Sequence, residues 1–193
     1  MKTMLKLSAA AVLLAATTAP AFAAGEVLTV DFSRVFQESA AAKSGNSQLH
    51  AKYDALMQQR GQAFQTALQA FQAQQTALQA IKAPAQPTPA QRAAYQQAGE
   101  RAQAAQDSAN QLEQEVQTVG RFIQSQIVDH VTPLAEQVRG EHKADAVLPK
   151  GSVLAADPAN DVTTVVIQRL DASFPNPSIV LPTAPAPAAG PGR

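Results

Sequence analysis

The sequence contains no cysteine and no tryptophan, and only 5% of its 193 residues are aromatic. Without cysteine, an exported chain has neither a disulfide nor a cysteine-borne lipid anchor, so its stability must come from packing or assembly. Charged residues make up only 16% of the chain, and the formal net charge is zero. Nucleic-acid binding relies on clustered Lys and Arg. The composition therefore predicts neither a disulfide-stapled domain nor a nucleic-acid-binding protein.

Long apolar runs are missing as well, apart from one near the N-terminus. Residues 1–23 place Lys2 and Lys6 before an apolar run and end in an Ala-Phe-Ala triplet. This order is typical of a secretory signal peptide cleaved after Ala23, and the run is too short to cross ~30 Å of hydrocarbon. We therefore predict export to the periplasm of a mature chain with 13 basic and 15 acidic residues, a net charge of −2.

Branched and aromatic residues at 26–32 predict one buried strand. Ser33 is a candidate N-cap for a helix that starts near Arg34. The Gly-Asn-Ser sequence at 45–47 interrupts this helix, either as a kink or as a break between a short helix and a long one.

Two long helices are predicted for the middle of the chain. Apolar residues recur mostly in steps of three and four over 49–81, and in alternating steps of four and three over 98–123. The segment 82–90 between them holds three prolines, which cannot lie inside a helix. We predict an antiparallel helical-hairpin arm over 41–140, with a proline-rich tip and a weakly held distal part because small seam residues bury little area.

The second helix has clear boundary signals. Thr88 is a candidate N-cap and Pro89 suits the first helical position. Pro133 is expected to kink this helix before it ends near Gly140.

The C-terminal part returns to β character. Residues 144–148 and 152–155 flank a Pro-Lys-Gly sequence and predict a hairpin, after which Asp161 can cap a short helix. Residues 172–193 are rich in proline and small residues and predict a disordered tail. Residues 24–40 and 141–171 would then form a small β-rich body, which needs self-association because so small a core is rarely stable alone. The predicted fold class is α+β, mostly α.

Side chains with obvious chemistry are scarce. His50, His130 and His142 lack a second histidine or paired carboxylates at metal-ligand spacing, and neither a nucleophile elbow nor a phosphate loop is present. The sequence predicts no catalytic, cofactor or metal site, and a protein that is not an enzyme.

Three aromatic residues, Tyr53, Phe64 and Phe71, lie at helical spacing on the first arm helix. They either fill the seam between the arm helices or contact an apolar client. The seam is the more common role of such a stripe.

Two end segments carry a family resemblance. The opening VLTVDFSRVFQES (27–39) and the later ADAVLPKGSVLAADPANDVT (144–163), joined by the hairpin, resemble the Skp, or OmpH-like, periplasmic chaperones over about residues 26–171. The resemblance implies a homotrimer whose arms enclose a cavity for unfolded outer-membrane β-barrel proteins and work without ATP. By matching position, it assigns the oligomerisation body to Val27, Leu28, Val30, Phe32, Val147, Leu148, Val153 and Leu154.

The arm departs from that family in its charge. Family arms are typically rich in Lys and Arg, whereas residues 49–140 hold seven basic and seven acidic residues. The sequence therefore does not predict the lipopolysaccharide contact that a basic arm would favour. An alternative function is a periplasmic coiled-coil adaptor that bridges envelope components.

Overall fold

The computed structural model describes residues 25–182, so the predicted signal peptide at 1–23 lies outside the described residues. Long helices and one small pair of strands make up the described chain, in agreement with the predicted mostly α class. None of the described helices is long and apolar enough to span a membrane. In chain order the elements are β1 (Val27–Val30), α1 (Phe32–Glu38), α2 (Ala40–Gln79), α3 (Pro89–His142), β2 (Ala146–Pro149) and α4 (Thr163–Ser173).

The body contains a two-stranded parallel sheet. β1 pairs with β2 in a register that sets Val27 opposite Ala146, and Thr29 also bridges to Asp161 on the other side of β1. The predicted hairpin is wrong, because residues 150–152 form a 3-10 turn and residues 153–156 are not a strand. β2 pairs instead with β1, near the start of the described chain. The two strands are parallel, and parallel strands need a long connection, which the arm provides.

The start of α1 also differs from the prediction. Asp31, not Ser33, is the N-cap, and its Oδ1 accepts hydrogen bonds from the backbone N–H groups of Ser33 at 2.9 Å and Arg34 at 3.2 Å. Its own backbone N–H donates to Thr163 Oγ1 at 2.8 Å, which ties this helix start to α4. Ser33 lies one residue inside the helix.

The break between the short and the long helix falls at Ser39, so the predicted interruption at 45–47 is wrong. Ser39 ends α1 in an extended conformation and caps α2, accepting a hydrogen bond from Ala42 N–H at 3.2 Å. Asp171 in α4 accepts from Ala40 N–H at 2.7 Å and supports the same junction. Gly45 is helical, and a Cβ atom there would lie 2.7 Å from Ile123 Cγ2, so glycine allows close approach of α3.

The two long helices form an antiparallel arm. The two helices run in opposite directions, because Tyr53 contacts Glu115 near the body, whereas the later Phe71 contacts the earlier Tyr95 near the tip. At 1.5 Å per residue, α2 is ~60 Å long and α3 is ~80 Å long. Thr88 is confirmed as the N-cap of α3 and forms a capping box with Gln91.

Pro133 lies inside α3, which continues to His142 and ends at Lys143 in a left-handed conformation. The structure therefore extends the second helix slightly beyond the predicted end at Gly140.

Residues 174–182 pack on the arm. The sequence pattern instead predicts a disordered tail from residue 172. Pro177 is buried, and the ring of Phe174 stacks on His130 with centroids 3.7 Å apart. The remaining residues of that predicted tail, 183–193, lie outside the described part of the chain.

Candidate client-binding arm and assembly surface

The arm is densely packed where it leaves the body. Ile123, Ile127 and Val131 of α3 are all at most 3% exposed, and they belong to a core cluster that also contains residues of α2 and α4. Tyr53 is the last buried residue of α2 in the direction of the tip. We call the part of the arm between the body and Tyr53 the arm root.

Tyr53 closes the arm root with both its ring and its hydroxyl. The side chain is 2% exposed, and the hydroxyl donates a hydrogen bond to Glu115 Oε1 at 2.7 Å. The Lys52 ammonium lies 4.7 Å from the ring centroid, within range of a cation–π contact.

Beyond Tyr53 the packing weakens. α2 has no further buried residue, and α3 has only Ala98 and Ala102 on the tip side of Val119. Arg60 stands two turns beyond Tyr53, where an apolar seam residue would otherwise lie, and it is exposed. We call this part, residues 54–114, the distal arm.

A half-open cleft is lined by residues of both helices of the distal arm. Its volume is about 430 Å³, and its lining consists mainly of short side chains. The lining residues are Ala63, Thr66, Ala67, Ala70, Ala98 and Arg101. Alanine pairs bury little apolar area, so each pair contributes little to holding the helices together here.

Near the tip one aromatic pair restores contact. The rings of Phe71 and Tyr95 lie 5.0 Å apart at 32°, and Gly99 leaves room for the Phe71 ring. A Cβ atom at Gly99 would lie 3.2 Å from that ring. The glycine therefore permits close contact at the far end of the arm.

The three predicted client-binding aromatics have different surroundings. Tyr53 is a seam residue whose ring is buried within the chain, and its contact with a client stays a prediction. Phe64 and Phe71 are half-buried and keep part of their rings accessible. They stay candidates for contact with a client.

Sequence reasoning did not single out the exposed apolar residues next to this seam. Leu56 is 38% exposed and Met57 is 39% exposed, and helical geometry places them on either side of Tyr53. Methionine suits varied partners because its side chain is flexible and polarisable. The sequence shows that Leu56 belongs to the apolar stripe of α2 and that Met57 follows it, but their exposure depends on how closely α3 approaches.

The body presents an apolar cleft with a volume of about 400 Å³. It opens between the sheet and the last part of α3 and is lined by Val30, Phe32, Val131, Thr132, Ala135, Glu136, Val147, Leu148 and Pro149. Four of the predicted oligomerisation residues are therefore brought together here. β2 also has no described strand on its second edge.

The other predicted oligomerisation residues lie apart from the cleft. Leu28 is fully buried inside its own chain, and Val27 is 37% exposed at the start of β1. Val153 is half-buried, whereas Leu154 projects from the loop after β2 with its side chain completely exposed at 103% of the reference area.

One charged cluster closes the loop between β2 and α4. The Asp161 carboxylate accepts from Lys150 Nζ at 2.7 Å and from Thr163 N–H at 3.0 Å, and it also bonds the Thr163 hydroxyl. Partial burial alone would raise the pKa of Asp161, but the bonds from Lys150 and Thr163 outweigh it and lower this pKa from 3.8 to about 2. The cluster therefore fixes the loop that carries Leu154.

Within residues 25–182, no group of three or more His, Cys, Asp or Glu could hold a metal ion. The three histidines are exposed, and His130 has a packing role because its ring stacks on Phe174.

Residues 26–170 match the family described as "Outer membrane protein (OmpH-like)". The chain belongs to the OmpH-like family. A crystal structure from Caulobacter crescentus CB15, assigned as an OmpH-like outer-membrane chaperone, shares its fold with a TM-score of 0.58 at 21% identity, covering 79% of this chain and 87% of that one. A comparison with curated proteins gives no significant match. Family membership supports a chaperone role and suggests a protein without enzymatic activity.

Proposed function

We propose that the chain is a periplasmic, ATP-independent holdase chaperone that binds unfolded outer-membrane proteins and prevents their aggregation on the way to the outer membrane. OmpH-like chaperones are periplasmic in general, which fits the signal-peptide pattern of residues 1–23. The observation that carries the proposal is the contrast between a packed arm root and a distal arm without a large buried side chain.

Weak packing in the distal arm suits a binder of unfolded chains. An unfolded client has no fixed surface, so the binding element must adapt to it through many weak contacts. Leu56, Met57 and Phe64 offer apolar contact at intervals, and the long side chains of glutamine cover the surface between them. The balanced charge of the arm means that apolar contact contributes more than electrostatic attraction.

The active form is proposed to be a homotrimer built through the body. The apolar cleft and Leu154 belong to different pockets of the chain, so a contact between them would join unlike surfaces of two copies. Such a contact forms a closed ring when the rotation that relates the copies closes. A ring of three would bury the apolar side chains that a single chain leaves exposed. It would also set three arms around one shared cavity.

The test is aggregation of a urea-unfolded outer-membrane β-barrel protein, followed by light scattering after dilution into the mature chain, residues 24–193. We expect suppression at near-stoichiometric trimer without ATP. The matched control replaces residues 57–111 by a short Gly-Ser linker, which keeps the body and the Tyr53–Glu115 contact but removes most of the distal arm. This control should retain the oligomer and lose suppression.

The outcome also separates the two functions that the sequence left open. A chain that assembles but leaves the client to aggregate would contradict the holdase proposal and favour the adaptor alternative. Suppression by the shortened arm equal to that of the full arm would instead contradict the role of the distal arm.

A further inference from the structure

The segment after α4 lies across both arm helices at the arm root. Asn176 Oδ1 is 2.8 Å from Ser44 Oγ of α2, and the Pro177 carbonyl accepts from Gln48 Nε2 at 3.2 Å. On α3, the Gln126 side chain makes two bonds to Ser178, donating to its carbonyl at 2.8 Å and accepting from its N–H at 2.9 Å. We call residues 174–182 the strap.

Apolar contacts accompany these hydrogen bonds. Phe174 stacks on His130, and Ile179 packs against the core cluster. Gly45 is the point where α2, α3 and the strap meet, since a Cβ atom there would lie 2.7 Å from Ile123 Cγ2 and 3.0 Å from Pro177 Cγ. A glycine within a long helix is costly, and this three-way contact supplies a packing reason for it.

The strap and the apolar cleft use different faces of α3. Gln126 and His130 contact the strap, whereas Val131 and Ala135 line the cleft, and helical geometry sets the two pairs on well-separated faces. The strap therefore leaves the cleft open. It joins three elements within one chain, because it begins at the end of α4 and bonds to α2 and α3.

We propose that residues 174–182 act as an intramolecular clasp that holds α2 and α3 together at the arm root and confines arm opening to the distal arm. The clasp ends on α2 at Gln48, about one helical turn before Tyr53, so strap and tyrosine together cover the whole root. Bending near the body would change the position of the entire arm, whereas bending beyond Tyr53 changes only its distal shape. The proposal is independent of client binding.

The test is amide hydrogen exchange of the assembled mature chain, read from peptides that cover 44–53 and 119–130. A chain ending at Ser173 removes the strap, and a chain ending at Pro182 retains it and serves as the control. We expect exchange at the arm root to be roughly tenfold faster without the strap, as expected when hydrogen bonds worth about 1.4 kcal/mol are lost. The longer chain should exchange like the full one.

A point variant keeps the test decisive if the chain ending at Ser173 fails to fold. Gln126→Ala removes both bonds to Ser178, and Gln124→Ala, at an exposed position of the same helix, is its matched control. Faster exchange at the arm root in Gln126→Ala alone would support the clasp. Exchange at the wild-type rate in Gln126→Ala, or in a folded chain ending at Ser173, would overturn it.

Discussion

Tyr53 offers a direct way to perturb the boundary between the arm root and the distal arm. Its ring is 2% exposed, so Tyr53→Ala removes a buried aromatic side chain, a change that costs about 3–5 kcal/mol in typical cores. Tyr53→Phe removes only the hydroxyl that donates to Glu115 Oε1 at 2.7 Å, and we expect it to cost about 1 kcal/mol. The ratio of the two effects separates ring packing from the hydrogen bond.

The assay is urea unfolding of the mature chain followed by helical circular dichroism, combined with hydrogen exchange along the arm. Tyr53→Ala should lower the unfolding midpoint and extend fast exchange toward the body as far as the strap contacts. Met57→Ala is the matched control, because Met57 is 39% exposed one turn away, and its loss should cost under about 1 kcal/mol. Equal effects of Tyr53→Ala and Met57→Ala would refute the assignment of Tyr53 as the closing residue of the root.

Four further variants probe the body and the tip. Leu154→Asp should reduce the solution mass to that of smaller species without loss of helical content, because Leu154 is fully exposed within its own chain, whereas Val30→Asp should unfold the body, since Val30 is 1% exposed. The lowered pKa of Asp161 stabilises the folded chain above pH 3.8, and this contribution is lost as pH falls toward about 2. In acid titrations Asp161→Asn should remove this pH dependence and about 1 kcal/mol of stability at neutral pH, allowing for solvent screening. Thr88→Ala removes the N-cap of α3 and should cost about 1 kcal/mol of helix stability, measured as fraying of the first turn by hydrogen exchange.

The helical-hairpin arm can be predicted from the sequence because the patterns that indicate it are local. Helical periodicity lies within each helix, and the prolines at 82–90 together with Thr88 mark the turn directly. Each of these signals depends only on residues a few positions apart. The antiparallel hairpin and the small seam residues near its tip followed from them.

The errors fall where distant parts of the chain meet. β2 pairs with β1 across more than a hundred residues. Nothing near the Pro-Lys-Gly sequence after β2 indicates this distant partner, so the local pattern predicts a hairpin turn that the structure does not form. The helix break lies at Ser39, and Asp171 of α4 stabilises it by accepting a hydrogen bond from Ala40 N–H. Gly45 lies within α2, where the absence of a Cβ atom leaves room for Ile123 and Pro177. None of these contacts leaves a local trace in the sequence.

The packing of the strap also depends on distant residues that the local sequence does not indicate. Residues 174–182 have the proline-rich composition of a disordered segment, and composition alone cannot reveal that Gln126 and Gln48 provide partners for their backbone groups. The candidate client residues were limited for a related reason, since the exposed edge of a seam, where Leu56 and Met57 lie, depends on how closely the second helix approaches.

The most direct test of the proposed chaperone is the solution mass of the mature chain, residues 24–193, alone and after dilution of a urea-unfolded outer-membrane β-barrel protein into it. We expect a trimer that takes up the client and remains a soluble complex whose mass is the sum of trimer and client. A monomer or dimer that leaves the client to aggregate would contradict the proposed chaperone function.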